Sequence, residues 1–511
     1  MLQEIISLPI WALITIPVSI YILSTVFLAI IDPLRHIPGP FLARFTRAWY
    51  FWKIYEGNFE RTNKQLHNRY GPIVRIAPHE YSIDDVDAAK VIYSIGGDVF
   101  PKTSWYTTWQ PANLVPASLF SELNPHIHSV QRRKVANYYS MSSMVGYEGY
   151  VDNCSELLSR HFVKLATSGD FVNMQHWLQC YAFDVIGEIT FGQRFGFLDM
   201  GEDKDGVFEA IDNGGWYSTF VGIWSWLHAW IFPLLPKTGG IAFVVQFAAD
   251  RIAEKEKMLQ EQSFSDRKEE GTPDIMTRIL TASAKDPGKI TRGDLNVTCQ
   301  SNIAAGSDTT AITLSSVLYH LLKYPNTYQK LRDEVETAAR EGRVSDPVTF
   351  KEAQKLPYLQ AVLKEGLRVH PAVGMGLQRI VPAEGTTIAN QFIPGGSTVG
   401  INAYVAHQNT SVWGSDADQW RPERWLEIEE QGRGAEVEKY FMSFGMGSRT
   451  CIGKNISLLE MNKLVPQLVR RFDFELDPEV ERNGGIVCKN RWFVKQQNFR
   501  VRILRWNGKT E

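Results

Sequence analysis

Nothing in this chain pairs its cysteines. There are five, Cys154, Cys180, Cys299, Cys451 and Cys488, an odd number at wide spacings. No Cys-x-x-Cys occurs, which excludes a zinc knuckle or redox dithiol of ordinary spacing. A disulfide framework is not expected in so long a chain, and the compartment reads as reducing. An excess of one charge is also missing: 54 Lys and Arg stand against 56 Asp and Glu, for a net charge of −2. No basic surplus therefore draws the chain to nucleic acid. Internal repeats, low-complexity tracts and linkers are absent as well. The most polar internal stretch, residues 261–274, is short, lies between helical patterns and reads as a surface loop. At roughly 150 residues per domain a chain of 511 residues suggests several domains. Without a linker, the body reads as one.

Charge is absent altogether from residues 5–31, a run of 27 residues. A membrane-spanning helix needs roughly 20. Trp11 and Tyr21 lie in the run, and Pro9 and Pro17 bend a helix without forbidding it. The run is too long for a signal-peptide core and no small-residue cleavage site follows. Asp32, Pro33, Arg35 and His36 follow, then Ile37-Pro38-Gly39-Pro40. Arg35, Arg44, Arg47 and Lys53 put the positive excess on the downstream side, so the bulk of the chain is expected in the cytosol. We therefore expect residues 1–36 to form a transmembrane anchor and hinge, and residues 37–511 to form a single catalytic domain. Four Asn-x-Ser/Thr matches, at Asn153, Asn296, Asn409 and Asn455, read as chance in a cytosolic domain.

The body is mainly helical in pattern, with small sheets. Residues 58–70 read as a helix broken by Gly71-Pro72. Residues 73–76 alternate and pair with residues 80–83. Residues 294–324 form about 30 residues of helix without proline, stopped by Pro325 and opened by Thr291 with Asp294 in the first turn. Helices are also expected over 326–340, 358–370 and 454–472, and short strands over 386–388 and 398–401.

What stands out chemically is Phe444-Gly445-Met446-Gly447-Ser448-Arg449-Thr450-Cys451-Ile452-Gly453. Glycines let a backbone pass close to a large flat ligand and turn N–H groups toward the sulfur. Those donors, Arg449 and the following helix N-terminus favour a thiolate. The long helix carries Ala304-Ala305-Gly306-Ser307-Asp308-Thr309-Thr310. Three small residues let it lie against a flat ligand. Thr309 can turn its hydroxyl onto the Ala305 carbonyl and open a local kink. Asp308 beside it reads as an acid that relays protons.

The pattern Phe-x-x-Gly-x-Arg-x-Cys-x-Gly resembles the heme-binding loop of the cytochrome P450 family. The string around Thr309 resembles that family's oxygen-activation motif. The resemblance covers almost the whole chain, in the family's order, and is nearest in wording to fungal members such as pisatin demethylases and benzoate hydroxylases. It implies the cytochrome P450 fold, mainly α with small β-sheets, preceded by an N-terminal transmembrane helix. It implies heme b with Cys451 as axial ligand and metal-binding residue. Phe444, His128, Arg132, Arg379 and Arg449 are then cofactor-binding, the cations facing the propionates. His128 stands where tryptophan is commoner in the family. Thr309 and Asp308 are the catalytic pair. Glu365, Arg368 and Arg424 are expected to form a buried structural network beneath the cysteine loop.

The implied activity is insertion of one oxygen atom from O2 into a lipophilic small molecule, in fungal secondary metabolism. With no flavin domain after Glu511, electrons are expected from a separate NADPH-cytochrome P450 reductase, at the endoplasmic reticulum membrane. Two alternatives stay open: an isomerase or dehydratase that needs no reductase, and a detoxifying monooxygenase. Residues 105–119, 216–230, 372–377 and 491–496 are candidate substrate contacts. The tryptophans in 216–230 equally suit a bilayer surface. Gln378 stands where many relatives have proline, in a turn expected to border the substrate.

Overall fold

The computed structural model describes residues 10–94, 100–112, 114–236, 238–261 and 272–506. The polar stretch 261–274 lies largely outside them, as do residues 5–9 of the apolar run. Helix α1, Ile10–Ile31, is the described part of that run. It has 22 residues, contains Pro17 and carries no charge. Counted over the described residues alone, no helix is long and apolar enough to cross a membrane. The hinge is fixed to the body by a buried ion pair, Asp32 Oδ2 to Arg75 at 2.8 Å, and the same guanidinium donates to the Leu34 carbonyl at 2.7 Å.

The catalytic body is built around helix α2, Arg292–Lys323. Its start is set by a capping box: Asp294 N–H donates to Thr291 Oγ1, and Thr291 N–H donates back to Asp294 Oδ2 at 2.8 Å. It ends because Pro325 lacks the N–H needed to continue it. Pro325 itself opens helix α3, Pro325–Arg340, and Pro357 opens α4, Pro357–Val369. Proline at the first helical position loses no bond, since that N–H has no intrahelical partner. The helix that follows the cysteine loop, α5, spans Lys454–Arg471.

The long helix packs against Met174–Phe191, which is buried on nearly every side. Gly306 permits the approach: a Cβ there would lie 3.0 Å from Ile186 Cγ1. The largest sheet has four strands in the order Ile73–Ala77, Glu80–Ile83, Thr398–Gly400, Arg379–Ile380. The first two form the expected hairpin, with a register shift between Arg75 and Ala77. A C-terminal hairpin pairs Val487–Arg491 with Phe493–Gln497. Its tip is Trp492, at φ 81°. Two of the four glycosylation matches have engaged amides, Asn409 donating to Asp84 and Asn455 to the Tyr139 carbonyl, each at 2.9 Å.

Candidate active site

A cavity of about 440 Å3 lies between the long helix and the cysteine loop. Phe444, Arg449, Thr450 and Cys451 line it from the loop, and Ala304, Ala305, Gly306 and Thr309 from the helix. The loop is folded tightly: Cys451 N–H donates to the Phe444 carbonyl at 2.8 Å, and Gly445 and Gly447 take φ of 69° and 65°. A Cβ on Gly447 would stand 1.9 Å from the Tyr93 carbonyl oxygen. Cys451 is open to the cavity while protein surrounds it on the other sides. Burial pushes its thiol up; the N–H groups of Gly453 and Lys454 and the Arg132 guanidinium pull the other way. A coordinated metal cation would remove that proton outright.

The cavity gathers cations. His128, Arg132, Arg379 and Arg449 all line it, as the sequence led us to expect, and so does Lys102. Arg132 donates to the Thr450 carbonyl at 2.8 Å, Arg449 to the Glu122 carbonyl at 2.6 Å, and Arg379 to the Gln378 carbonyl at 2.8 Å. The acid on the wall, Asp294, is held by Lys134 and Thr291. Crowding shows in the titrations. Burial, then Arg449 and Lys102, press His128 down to about 3. Burial, then Arg379, lowers Arg449 to about 10. Lys102 falls well below the ordinary lysine range through burial, Arg379 and Arg449. Buried like charges repel unless an anion joins them. With a cysteine sulfur open to the space and a glycine-built loop, the set fits a flat, dianionic, metal-bearing ligand such as heme. Lys102 escaped sequence reading because Phe100-Pro101-Lys102-Thr103 carries no spacing signal. The one hint was a lysine just before an aromatic run.

Thr309 Oγ1 donates to the Ala305 carbonyl at 2.9 Å, as expected, and Thr313 Oγ1 donates to the Thr309 carbonyl at 3.0 Å. Asp308 lies behind the wall that Thr309 faces. Its side chain is fully buried and is not on the cavity wall. Consecutive helix residues project about 100° apart, so Asp308 turns away when Thr309 faces inward. Gln179 Nε2 donates to its Oδ1 at 2.6 Å, and Lys495 Nζ stands 2.8 Å from Oδ2. Burial raises its pKa, against the pull of Lys495.

Trp109, Phe120, Met375, Leu377, Trp492 and Phe493 form much of the apolar wall. They come from three of the four expected segments and, with Phe120, from one residue beyond the first. The fourth, 216–230, contributes nothing to it. Its helix, Val207–Val221, presents Ala210, Ile211, Gly214 and Gly215 instead. Trp216, Trp226 and Trp230 face outward, 39%, 67% and 75% exposed. The turn carrying Gln378 borders the cavity through Leu377 and Arg379, while the Gln378 side chain itself donates to Glu80. Extended chain sends successive side chains to opposite sides.

Glu365 and Arg368 pair through two bonds, 2.9 and 2.7 Å, with both side chains fully buried. Arg424 lies 3.6 Å from Glu365 and binds Asp416 at 2.7 Å. The network reaches the cysteine loop through His407, which contacts the Arg368 carbonyl and Met442 N–H.

Residues 38–489 match the family description Cytochrome P450. A pisatin demethylase of Fusarium vanettenii is 37% identical over 497 residues, 95% of this chain and 93% of its own. A cytochrome P450 monooxygenase of Aspergillus terreus is 37% identical, over 90% of this chain and 94% of its own. The monooxygenase cicH of Emericella nidulans is 35% identical, over 96% of this chain and 98% of its own. Match, fold and cavity agree: the chain belongs to the cytochrome P450 family, the heme-thiolate monooxygenases.

Proposed function

We propose that this chain inserts one oxygen atom from O2 into a lipophilic small molecule, as a hydroxylation or related oxidation, in fungal secondary metabolite biosynthesis. One observation carries the reading. Cys451, Thr309, the basic side chains of Lys102, Arg132, Arg379 and Arg449, and the imidazole of His128 face a single, largely apolar cavity. In it Cys451 would hold the iron, and Lys102, His128, Arg132, Arg379 and Arg449 would hold the propionates. Heme bound there supplies the oxygen-activating chemistry. The protein's own residues position and dry the substrate and supply protons. Releasing the second oxygen atom as water consumes two protons and two electrons. Thr309 would hand protons into the cavity, and Asp308, behind it, would bring them from outside. The electrons would come from a membrane-bound NADPH-dependent reductase. An acid and an alcohol side by side favour oxygen activation over isomerisation or dehydration, which need no such relay.

Residues 1–36 would anchor the enzyme in the endoplasmic reticulum membrane, with the catalytic domain in the cytosol. The uncharged run 5–31 supports this reading, as does the apolar surface beside the body. Phe41, Trp52, Trp226, Trp230 and Leu234 are each more than half exposed. Contacts of Phe51 with Phe220 and Trp224 join the two parts of that surface. In vesicles, brominated lipid should quench Trp226 and Trp230. Equal quenching of the Trp226→Ser/Trp230→Ser double variant would remove that surface from the membrane.

The deciding test is mass spectrometry of metabolites from the source organism with and without this gene, under isotope-labelled dioxygen. A missing product bearing label identifies substrate and reaction together. Precursor and product of equal mass, with no label, would replace oxygenation by rearrangement. In the first case, Thr309→Ala should release peroxide or water in place of product for most of the NADPH consumed.

A further inference from the structure

Much of the cavity's apolar wall is aromatic. Trp109, Phe120, Trp492 and Phe493 line it. Trp109 stands in the middle of the set. Its ring centroid is 5.6 Å from Phe120, 5.6 Å from Trp492 and 6.4 Å from Phe493, each tilted or edge-on. Trp105 backs the wall, 4.7 Å from Trp492, in room that Gly222 leaves: a Cβ on Gly222 would overlap its ring. Two features go beyond what a core of rings needs. Trp492 holds φ at 81°, in the left-handed region that bulky side chains rarely enter. Its carbonyl accepts Gly374 N–H at 2.9 Å and its N–H donates to Asn490 Oδ1 at 3.2 Å, which keep it there. Such strain persists only where its surroundings fix it, and it gathers at ligand clamps. The second feature is Gly215, inside the helix Val207–Val221 and on the cavity wall. Its neighbour Gly214 is required by packing, since a Cβ there would lie 3.2 Å from Ile241 Cγ1. Gly215 is not: a Cβ there would meet Trp109 at 3.8 Å, an ordinary contact. Glycine weakens a helix, so the missing side chain serves the space beside Trp109 and not the fold.

We propose that this wall is a slot for a flat, uncharged aromatic substrate. Trp109 and Trp492 are its specificity-determining residues, and Gly215 keeps the space beside Trp109 clear. The inference rests on the reading above in taking this cavity as the substrate's. Tilted and edge-on neighbours favour an aromatic guest over a saturated one of the same area, by about two- to tenfold in affinity per ring. An ammonium ion, the other guest of aromatic cages, is not favoured here. The Lys102 amine already lies 4.4 Å from the Tyr106 ring centroid and 4.6 Å from that of Phe120. Arg132, Arg379 and Arg449 line the same space. Asp294, the one acid on the wall among the described residues, is held by Lys134. The same cations are taken by heme in the reading above, so an anionic substrate finds none to spare.

The test uses full-length, heme-loaded enzyme in detergent, without NADPH. The probes are β-naphthol and β-decalol, the flat and the saturated form of one carbon skeleton, and β-naphthyltrimethylammonium. Equilibrium dialysis measures each affinity, and ratios between variants cancel uptake by detergent. With two rings acting, β-naphthol should bind about four- to a hundredfold tighter than β-decalol. Trp109→Leu and Trp492→Leu should each cut that preference about two- to tenfold. Gly215→Leu fills the space beside Trp109 and should weaken β-naphthol about five- to a hundredfold. Carbon-monoxide difference spectra show that each variant holds its thiolate-bound heme. Where a tryptophan variant fails there, Gly215→Leu, which leaves the rings in place, decides. Equal binding of naphthol and decalol, a preference for decalol, or tighter binding of the ammonium overturns the proposal. So does an unchanged β-naphthol affinity in Gly215→Leu. No oxygen is consumed in these measurements, so the slot can fail while oxygenation stands, and label can fail to enter a product while the slot stands.

Discussion

His407 accepts the Met442 N–H on Nε2 at 2.8 Å and donates Nδ1–H to the Arg368 carbonyl at 2.9 Å. One neutral imidazole thereby joins the start of the cysteine loop to the buried Glu365–Arg368 pair. Both ring nitrogens are committed, so the tautomer is fixed. His407→Phe keeps the volume but strands one donor and one acceptor, each costing about 1–3 kcal/mol. We expect a fall in melting temperature. We also expect loss of the thiolate signature from the carbon-monoxide spectrum, as the loop relaxes. A stable variant with an intact thiolate band would separate the network from the loop.

Three histidines, His370 and His407 buried and His320 half-buried, predict acid sensitivity. Burial presses His320 and His407 down to about 3 and His370 to about 4. Unfolded histidine titrates near 6.5. Between these values the unfolded chain binds more protons, so stability is full above about 6.5 and is lost progressively as pH falls toward 4. Melting temperature should decline from pH 7 to pH 5, where unfolded histidines titrate. Asp184 offsets part of this: burial raises it to about 6, so the native state also gains a proton there. A flat profile there would contradict the burial of these rings.

Removing one cation from the cavity should act oppositely on the two forms of the protein. Lys102→Met relieves repulsion in the heme-free chain and removes a partner for a carboxylate. A charge-assisted hydrogen bond is worth about 1.5–3 kcal/mol, so heme should leave about ten- to a hundredfold faster. Heme transfer to apomyoglobin measures this. The apoprotein should melt higher than the parent.

Gly447→Ala should abolish assembly of the heme-bound enzyme. The left-handed backbone costs a side chain about 1–2 kcal/mol, and the new Cβ would overlap the Tyr93 carbonyl at 1.9 Å. Heme content of the purified variant checks it. Gly434→Ala, where a Cβ meets nothing, is the matched control.

The sequence by itself determined the local and covalent part of this protein. Capping chemistry fixed the ends of the long helix, since Thr291, Asp294 and Pro325 act through neighbours in the chain. Glycine spacing fixed the cysteine loop, because backbone conformation is a local property. The pairing of Glu365 with Arg368 is one helical turn and was equally legible. Tertiary structure decided which way side chains face and what meets them across long separations. Asp308 and Thr309 are adjacent, yet only packing of Met174–Phe191 and of the C-terminal hairpin sends one into the core and leaves the other on the cavity. Lys102 and His128 meet Arg379 by convergence of segments more than 250 residues apart, which no periodicity encodes. Trp226 and Trp230 have the composition of a pocket wall and lie on the outside. Hydrophobicity says only that a side chain seeks an apolar neighbour; the fold alone supplies which neighbour it meets.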